Sequence, residues 1–164
     1  MKWIKILFIV FFLLGVSVFS QAEVKVGEVA PDFSLEDTES NLITLSDYKD
    51  NNVVVLDFFT SWCPTCVRYL SEVNKCFGAY KDKGLIVIGV DIEEPLAKVK
   101  KLVKKHKLNY PVVLDLKAEA ASSYGVRGVP YMVIIDKTGK IKWTGHMLNN
   151  EGRTTLKELL NEGN

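Results

Sequence analysis

Apolar positions along this chain fall first into one long run and then into short blocks whose spacing switches between the periods of strand and helix. The long run, 6–19, carries no charge; Lys2 and Lys5 precede it and Ser20-Gln21-Ala22 follow. Across 24–50, apolar residues alternate with polar ones, as in Phe33-Ser34-Leu35 and Leu42-Ile43-Thr44-Leu45, which predicts short strands, with Ser46 capping a helical turn. Residues 53–59 are apolar on both faces apart from Asp57, the mark of a central strand covered from both sides, and 85–92 repeat the pattern. Between these strands Val67, Leu70, Val73 and Phe77 recur at helical spacing, closed by Gly84. Pro95 opens a second helix with Leu96, Val99, Leu102 and Val103 on one face. A short strand at 112–114, a short helix at 118–124 stopped by Gly125, and a hairpin of 131–135 and 141–144 about Asp136-Lys137-Thr138-Gly139 follow. Pro130 is tolerated as the first residue of its strand, and Leu156, Leu159 and Leu160 stripe a last helix. The order β, α, β, α, β-hairpin, α implies an α/β fold, a mixed sheet with helices on both faces.

The leading lysines, the apolar run and the small residues at its end read as a secretory signal over 1–22, cut after Ala22. An uncleaved anchor extended by Trp3 and Ile4 is the alternative. The 142 residues from 23 to 164 then form one domain, large enough for a real core. The whole chain holds 21 basic and 20 acidic side chains. Loss of the two leader lysines brings the charge to about −1, so nothing points to nucleic acid. The lysines of the second helix, Lys98, Lys100, Lys101, Lys104, Lys105 and Lys107, read as a solvated face, with an acidic partner or lipid headgroups as the other reading.

Chemistry concentrates in Trp62-Cys63-Pro64-Thr65-Cys66, where the central strand gives way to a helix. Two cysteines with two residues between them at a helix start read as a redox dithiol. With Cys63 as N-cap, Pro64 falls at N1, where its missing N–H costs nothing, and Thr65 and Cys66 at N2 and N3 offer free N–H groups. Those donors and the positive helix end favour a Cys63 thiolate. Cys63 is expected to be the exposed attacking thiol and Cys66 the buried resolving one. Asp57, six residues before Cys63, has two readings: a buried proton acceptor for Cys66, or a strand-end carboxylate reaching water or capping a turn. Cys76 lies ten residues past Cys66, about 15 Å along a helix and too far to bridge. It reads as a small buried hydrophobe rather than a regulatory thiol. His106 and His146 are isolated and receive no role.

The set Asp57-Phe58, Trp62-Cys63, Cys66 and Gly128-Val129-Pro130 resembles the thioredoxin superfamily. Gly27, Ala30-Pro31-Asp32-Phe33 and Leu45-Ser46-Asp47 make it similar to the exported TlpA and ResA type, over nearly all of 24–160. The resemblance implies a thioredoxin-like three-layer α/β/α sandwich with an N-terminal strand extension, and an extracytoplasmic thiol-disulfide oxidoreductase with a Cys63–Cys66 redox disulfide and no other cofactor or metal. It further implies a cis Pro130 that leaves the Val129 backbone to pair with substrate, Trp62 flanking the nucleophile, and Asp57 as the buried carboxylate. Pro64 and Thr65, where thioredoxin has Gly-Pro, tune the potential. Tyr69 stands where ResA-type members often carry Glu, and 85–92 hold no counterpart of the lysine that thioredoxin pairs with its buried Asp. Implied partners are protein disulfides, such as an apocytochrome c in cytochrome c maturation, and a membrane thiol-transporting donor; a monomer is expected. Two alternatives stand beside this. Phe59-Thr60 and Cys63-Pro64-Thr65 also resemble the peroxiredoxins, a thiol peroxidase branch, although its motif requires proline where Leu56 stands. Cys63, Cys66 and His146 would suit a copper-binding metallochaperone, whose cysteines are usually three residues apart.

Overall fold

The computed structural model describes residues 23–161, and the expected leader in 1–22 lies outside the described residues. The central strand β3 (Val53–Phe59) is buried at every position. Two neighbours flank it, β4 (Leu85–Ile92) in parallel and β6 (Tyr131–Ile135) antiparallel, so that Asp57 lies across from Gly89 on one side and Met132 on the other. With β5 (Val112–Asp115) beyond β4 and β7 (Ile141–Gly145) beyond β6, the sheet runs β5-β4-β3-β6-β7.

Connection rules place the helices. Both α1 (Pro64–Tyr80), between β3 and β4, and α2 (Leu96–His106), between β4 and β5, are parallel crossovers moving the same way along the sheet. Right-handed crossing therefore puts them on one face. The final helix α4 (Asn150–Asn161) joins them there, and Leu70, Val99 and Leu156 share a core with Val55, Phe59 and Val87. In contrast, α3 (Glu119–Ser123) returns from β5 toward β6 and lies on the opposite face, where Ala121 and Tyr124 pack with Leu56, Phe58 and Val90. Side chains alternate along a strand, so Asp57 and Asp91, in phase with Val55 and Val87, project toward α1 and α2.

The N-terminal segment completes the second layer. Residues 27–30 bond the β7 edge, with the Gly27 N–H 2.8 Å from the Ile141 carbonyl and the Ala30 N–H 2.9 Å from that of Gly139. Phe33 and Leu45 then cover the sheet, and the separate ribbon of β1 (Ser34–Glu36) and β2 (Leu42–Thr44) ends on the other edge, where the Thr38 N–H donates to Val112 at 3.0 Å. Both outer strands thus lose part of their free edges. The fold is the α/β class expected, a three-layer sandwich whose thinner layer is α3 plus this extension.

Three local expectations change. The turn Leu45–Tyr48 is a 3-10 helix with Thr44 as N-cap, and Ser46 does not cap it; its own N–H is held by Asp32 Oδ1 at 3.0 Å. The short helix starts at Glu119 because Ala118 takes a left-handed φ of 53°. The strand before it extends to Asp115, whose buried carboxylate accepts the N–H groups of Ala120 and Ala121 at 3.3 and 2.8 Å. A capping group outside the helix leaves no local mark in the helix itself.

Candidate active site

Strand β3 ends at Phe59, and Thr60-Ser61-Trp62 turns the chain into α1 with Cys63 as its N-cap. The Cys63 backbone is extended (φ −84°, ψ 105°), Pro64 takes N1, and the Cys66 N–H donates to Cys63 Sγ at 3.1 Å. Cys63 and Cys66 form a disulfide, with Cα atoms 5.3 Å apart. When the bond opens, that N–H and the helix start stabilise negative charge on Cys63. Cys63 was expected to be exposed, yet it is only 7% exposed against 2% for Cys66. The order of accessibility holds, but what the solvent meets first is the neighbouring Trp62, at 68%.

A groove of about 810 Å³ opens beside the disulfide, with Trp62, Cys63 and Pro64 on its lining together with Ala121, Val126 and Val129. The Val129–Pro130 peptide is cis, and the Val129 carbonyl oxygen lies 3.8 Å from Cys63 Sγ. The structure thus brings Trp62, Cys63, Cys66 and Val129–Pro130 to one end of the sheet. Thr65, at N2, has its hydroxyl receiving the Arg68 guanidinium at 3.2 Å.

Asp57 is on the α1 side of the sheet and 2% exposed. Across from it, Gly89 provides no side chain, and the room is taken by Phe59, Val112 and Tyr110, whose nearest atoms would lie 3.0, 3.1 and 3.3 Å from any Cβ at that position. No hydrogen bond or ion pair to the Asp57 carboxyl occurs among the described residues, and burial pushes it up to about 7. Its charge acts in turn on the Tyr110 and Tyr69 phenols, which burial already raises. The strand-end reading, a carboxylate reaching water or capping a turn, does not describe this environment.

A second buried acid site escaped the sequence reading. Glu94, nearly fully buried, accepts the Ser61 N–H, the Ser61 hydroxyl at 2.8 Å and the Lys98 ammonium, and these partners hold its carboxylate below the usual range against the cost of burial. Asp91, 0% exposed, sits beside the Glu94 carboxylate. Burial first, and then the Glu94 charge, push it up to about 8. The turn that leads into Cys63 is therefore anchored to the start of α2. The spacing of Glu94 and Lys98, four residues along one helix start, was the available signal; Ser61 as the third partner had none. Replacing Glu94 by Ala should strip Ser61 of both acceptors and cost about 2 kcal/mol of stability, with Gln losing less, as read from urea midpoints. An unchanged midpoint in the Ala variant would show that the turn holds itself.

Cys76 is half-buried against the α1 core and its thiol is pushed up by burial, in keeping with a packing role. His146 places Nδ1 2.9 Å from the Pro130 carbonyl oxygen. No group of three or more His, Cys, Asp or Glu side chains is gathered for a metal among the described residues.

Comparison with known proteins supplies relatives for this arrangement. Residues 26–144 match the AhpC/TSA family. The thiol-disulfide oxidoreductase ResA of Geobacillus thermodenitrificans (strain NG80-2) is 33% identical over 138 residues, covering 83% of this chain and 79% of that protein. ResA of Bacillus cereus (strain ATCC 10987 / NRS 248) is 36% identical over 131 residues, 79% of this chain and 75% of that protein. Among solved structures, the thioredoxin domain of a thiol-disulfide oxidoreductase from Bacteroides vulgatus superposes with a TM-score of 0.75 at 26% identity, over 84% of this chain and 99% of that one.

Proposed function

The chain belongs to the AhpC/TSA family and, within the thioredoxin superfamily, to its ResA-like thiol-disulfide oxidoreductases, and from that premise we propose that it works outside the cytoplasm as a reductant of protein disulfides. The observation that carries this reading is the Cys63–Cys66 disulfide at a helix start, with Cys63 Sγ 3.8 Å from the Val129 carbonyl at the edge of an open groove.

In the proposed cycle a donor dithiol first reduces the disulfide and is itself oxidised. Cys63, as thiolate, attacks a substrate disulfide; one S–S bond breaks, a mixed disulfide forms, and the leaving sulfur takes a proton. The substrate lies extended along Val129, whose N–H has no partner among the described residues. Cys66 then gives its proton to Asp57 and attacks Cys63 Sγ, which restores the internal disulfide and releases the second substrate sulfur as a thiolate; that sulfur takes a proton from solvent, and Asp57 returns its own to solvent. Two electrons pass to the substrate in each turn. Export rests on the charged and apolar pattern of 1–22. Sustained reduction there requires a membrane thiol-transporting donor, and the substrate class is a protein disulfide, for which we take the disulfide of an apocytochrome c in cytochrome c maturation as the specific case.

The reduction potential of the Cys63–Cys66 couple tests the direction. Equilibration of 23–164 with thiol buffers, with Cys76→Ala removing the third thiol, should give a value near thioredoxin's roughly −270 mV. A value near the roughly −120 mV of strong oxidants would make the protein a donor of disulfides instead.

A further inference from the structure

The loop joining β7 to α4 ties together the two halves of the redox site. At its start, His146 approaches the Pro130 carbonyl; a carbonyl only accepts, so Nδ1 carries the proton and donates, at 2.9 Å. The imidazole also meets the Tyr131 ring edge-on, centroids 6.3 Å apart. Two residues later the Leu148 N–H donates to the Tyr69 hydroxyl on α1 at 3.1 Å, and the Leu148 carbonyl receives Arg153 Nε at 3.1 Å. One end of this strap therefore holds the residue after Val129, and the other holds α1 less than one turn beyond Cys66. Met147, between the two anchors, is 43% exposed.

The backbone around Val129 is divided in a way that gives the strap a consequence. The Pro130 carbonyl is claimed by His146, whereas the Val129 N–H has no partner among the described residues and its carbonyl has only the Cys63 Sγ contact. We propose that His146 is a positioning residue for protein substrates: by holding the Pro130 carbonyl and, through Leu148, the distance to α1, it keeps Val129 in register for a substrate strand whose sulfur must meet Cys63. This rests on the strand-pairing reading above and adds a determinant to it. The chemistry recognised is the peptide backbone on either side of a substrate cysteine, not the sulfur itself. A small thiol adduct should therefore be indifferent to His146.

The test uses the reduced full-length protein and two probes, an extended hexapeptide with a central cysteine carried as its 5-thio-2-nitrobenzoate mixed disulfide, and free cysteine carried the same way. Attack by Cys63 releases the coloured thiolate from both. His146→Phe keeps a ring for Tyr131 but has no donor; His146→Asn puts an amide N–H where Nδ1 stood. The Phe variant should raise the half-saturating peptide concentration about five- to tenfold, the worth of one hydrogen bond, while its rate with the cysteine adduct stays within about twofold. The Asn variant should recover most of the peptide affinity, with thermal melting confirming that both variants are folded. An unchanged half-saturation in the Phe variant, equal losses with both probes, or no recovery with Asn would each overturn the role of His146. If the parent protein itself showed no preference for the peptide, the strand-pairing reading would fall and this inference with it; a preference that the Phe variant retains would remove the inference alone.

Discussion

A Cys66→Ser variant should accumulate covalent adducts with its substrates, while Cys63→Ser should form none and lose on the order of a thousandfold or more in turnover. The asymmetry follows from position. Cys63 lines the groove and has the Cys66 N–H pointing at its sulfur, so an incoming disulfide meets it first and its attacking thiolate is stabilised there. Cys66 lies deeper in the core, 2% exposed, and can reach only the sulfur of Cys63. Without it the mixed disulfide has no internal attacker and persists until an external thiol arrives. Serine is close to cysteine in size, so folding is preserved while the nucleophile is lost; its hydroxyl stays protonated at neutral pH. Non-reducing gels of an extracytoplasmic extract, with Cys76→Ala in the background, read the result. Adducts on the Cys63→Ser variant instead would reverse the order of attack.

The second large effect is expected at Asp57. Replacing it by Asn should make the protein more stable and slower at once. In the folded chain its carboxyl is pushed up to about 7 by burial, whereas an unfolded Asp titrates near 3.8. Between those two values the folded state holds a proton that the unfolded state has released, so stability falls as pH rises and levels off above about 7. The Asn variant lacks that slope. Its advantage should be near zero at pH 4 and grow to at most about 4 kcal/mol above pH 7, about three pH units at 1.36 kcal/mol each. Asp91, pushed up to about 8, retains a similar slope in both proteins and cancels from the comparison. For catalysis the sign is opposite. Asp57 must be ionised to take the Cys66 proton, so the resolving rate should rise with pH through about 7, and the Asn variant should lose that inflection and roughly a hundredfold in rate near neutrality. Stopped-flow release of reduced substrate across pH measures it. Equal slowing of the first attack and the resolving step would remove Asp57 as the proton acceptor and leave it a buried acid of structural cost alone.

Both effects trace to residues that could be singled out from the sequence, for different reasons. Cys63, Pro64 and Cys66 declare themselves because a helix start is a local object: the N-cap, the N1 proline and the N3 amide are consecutive in sequence and in space. Asp57 declares itself by contradiction, as one charge in a strand apolar on both faces. Its environment was not legible, because Gly89 and Tyr110 reach it through strand pairing and sheet packing. Likewise, 118–124 read as a helix of about the right length, while the Asp115 carboxylate that starts it lay in the preceding strand.

The sequence by itself therefore determined the elements, their order, the α/β class and the redox dithiol, since each is encoded by neighbours whose spacing repeats or whose cap is adjacent. Tertiary structure decided how the dithiol is held and approached: Glu94 on Ser61, His146 on Pro130 and Tyr69 on Leu148 join residues 33, 16 and 79 positions apart. The physical reason is that these are isolated directional hydrogen bonds between groups far apart in sequence. They have no period, no composition and no adjacent partner, and they exist only after the order β5-β4-β3-β6-β7 has brought the loops to one end of the sheet.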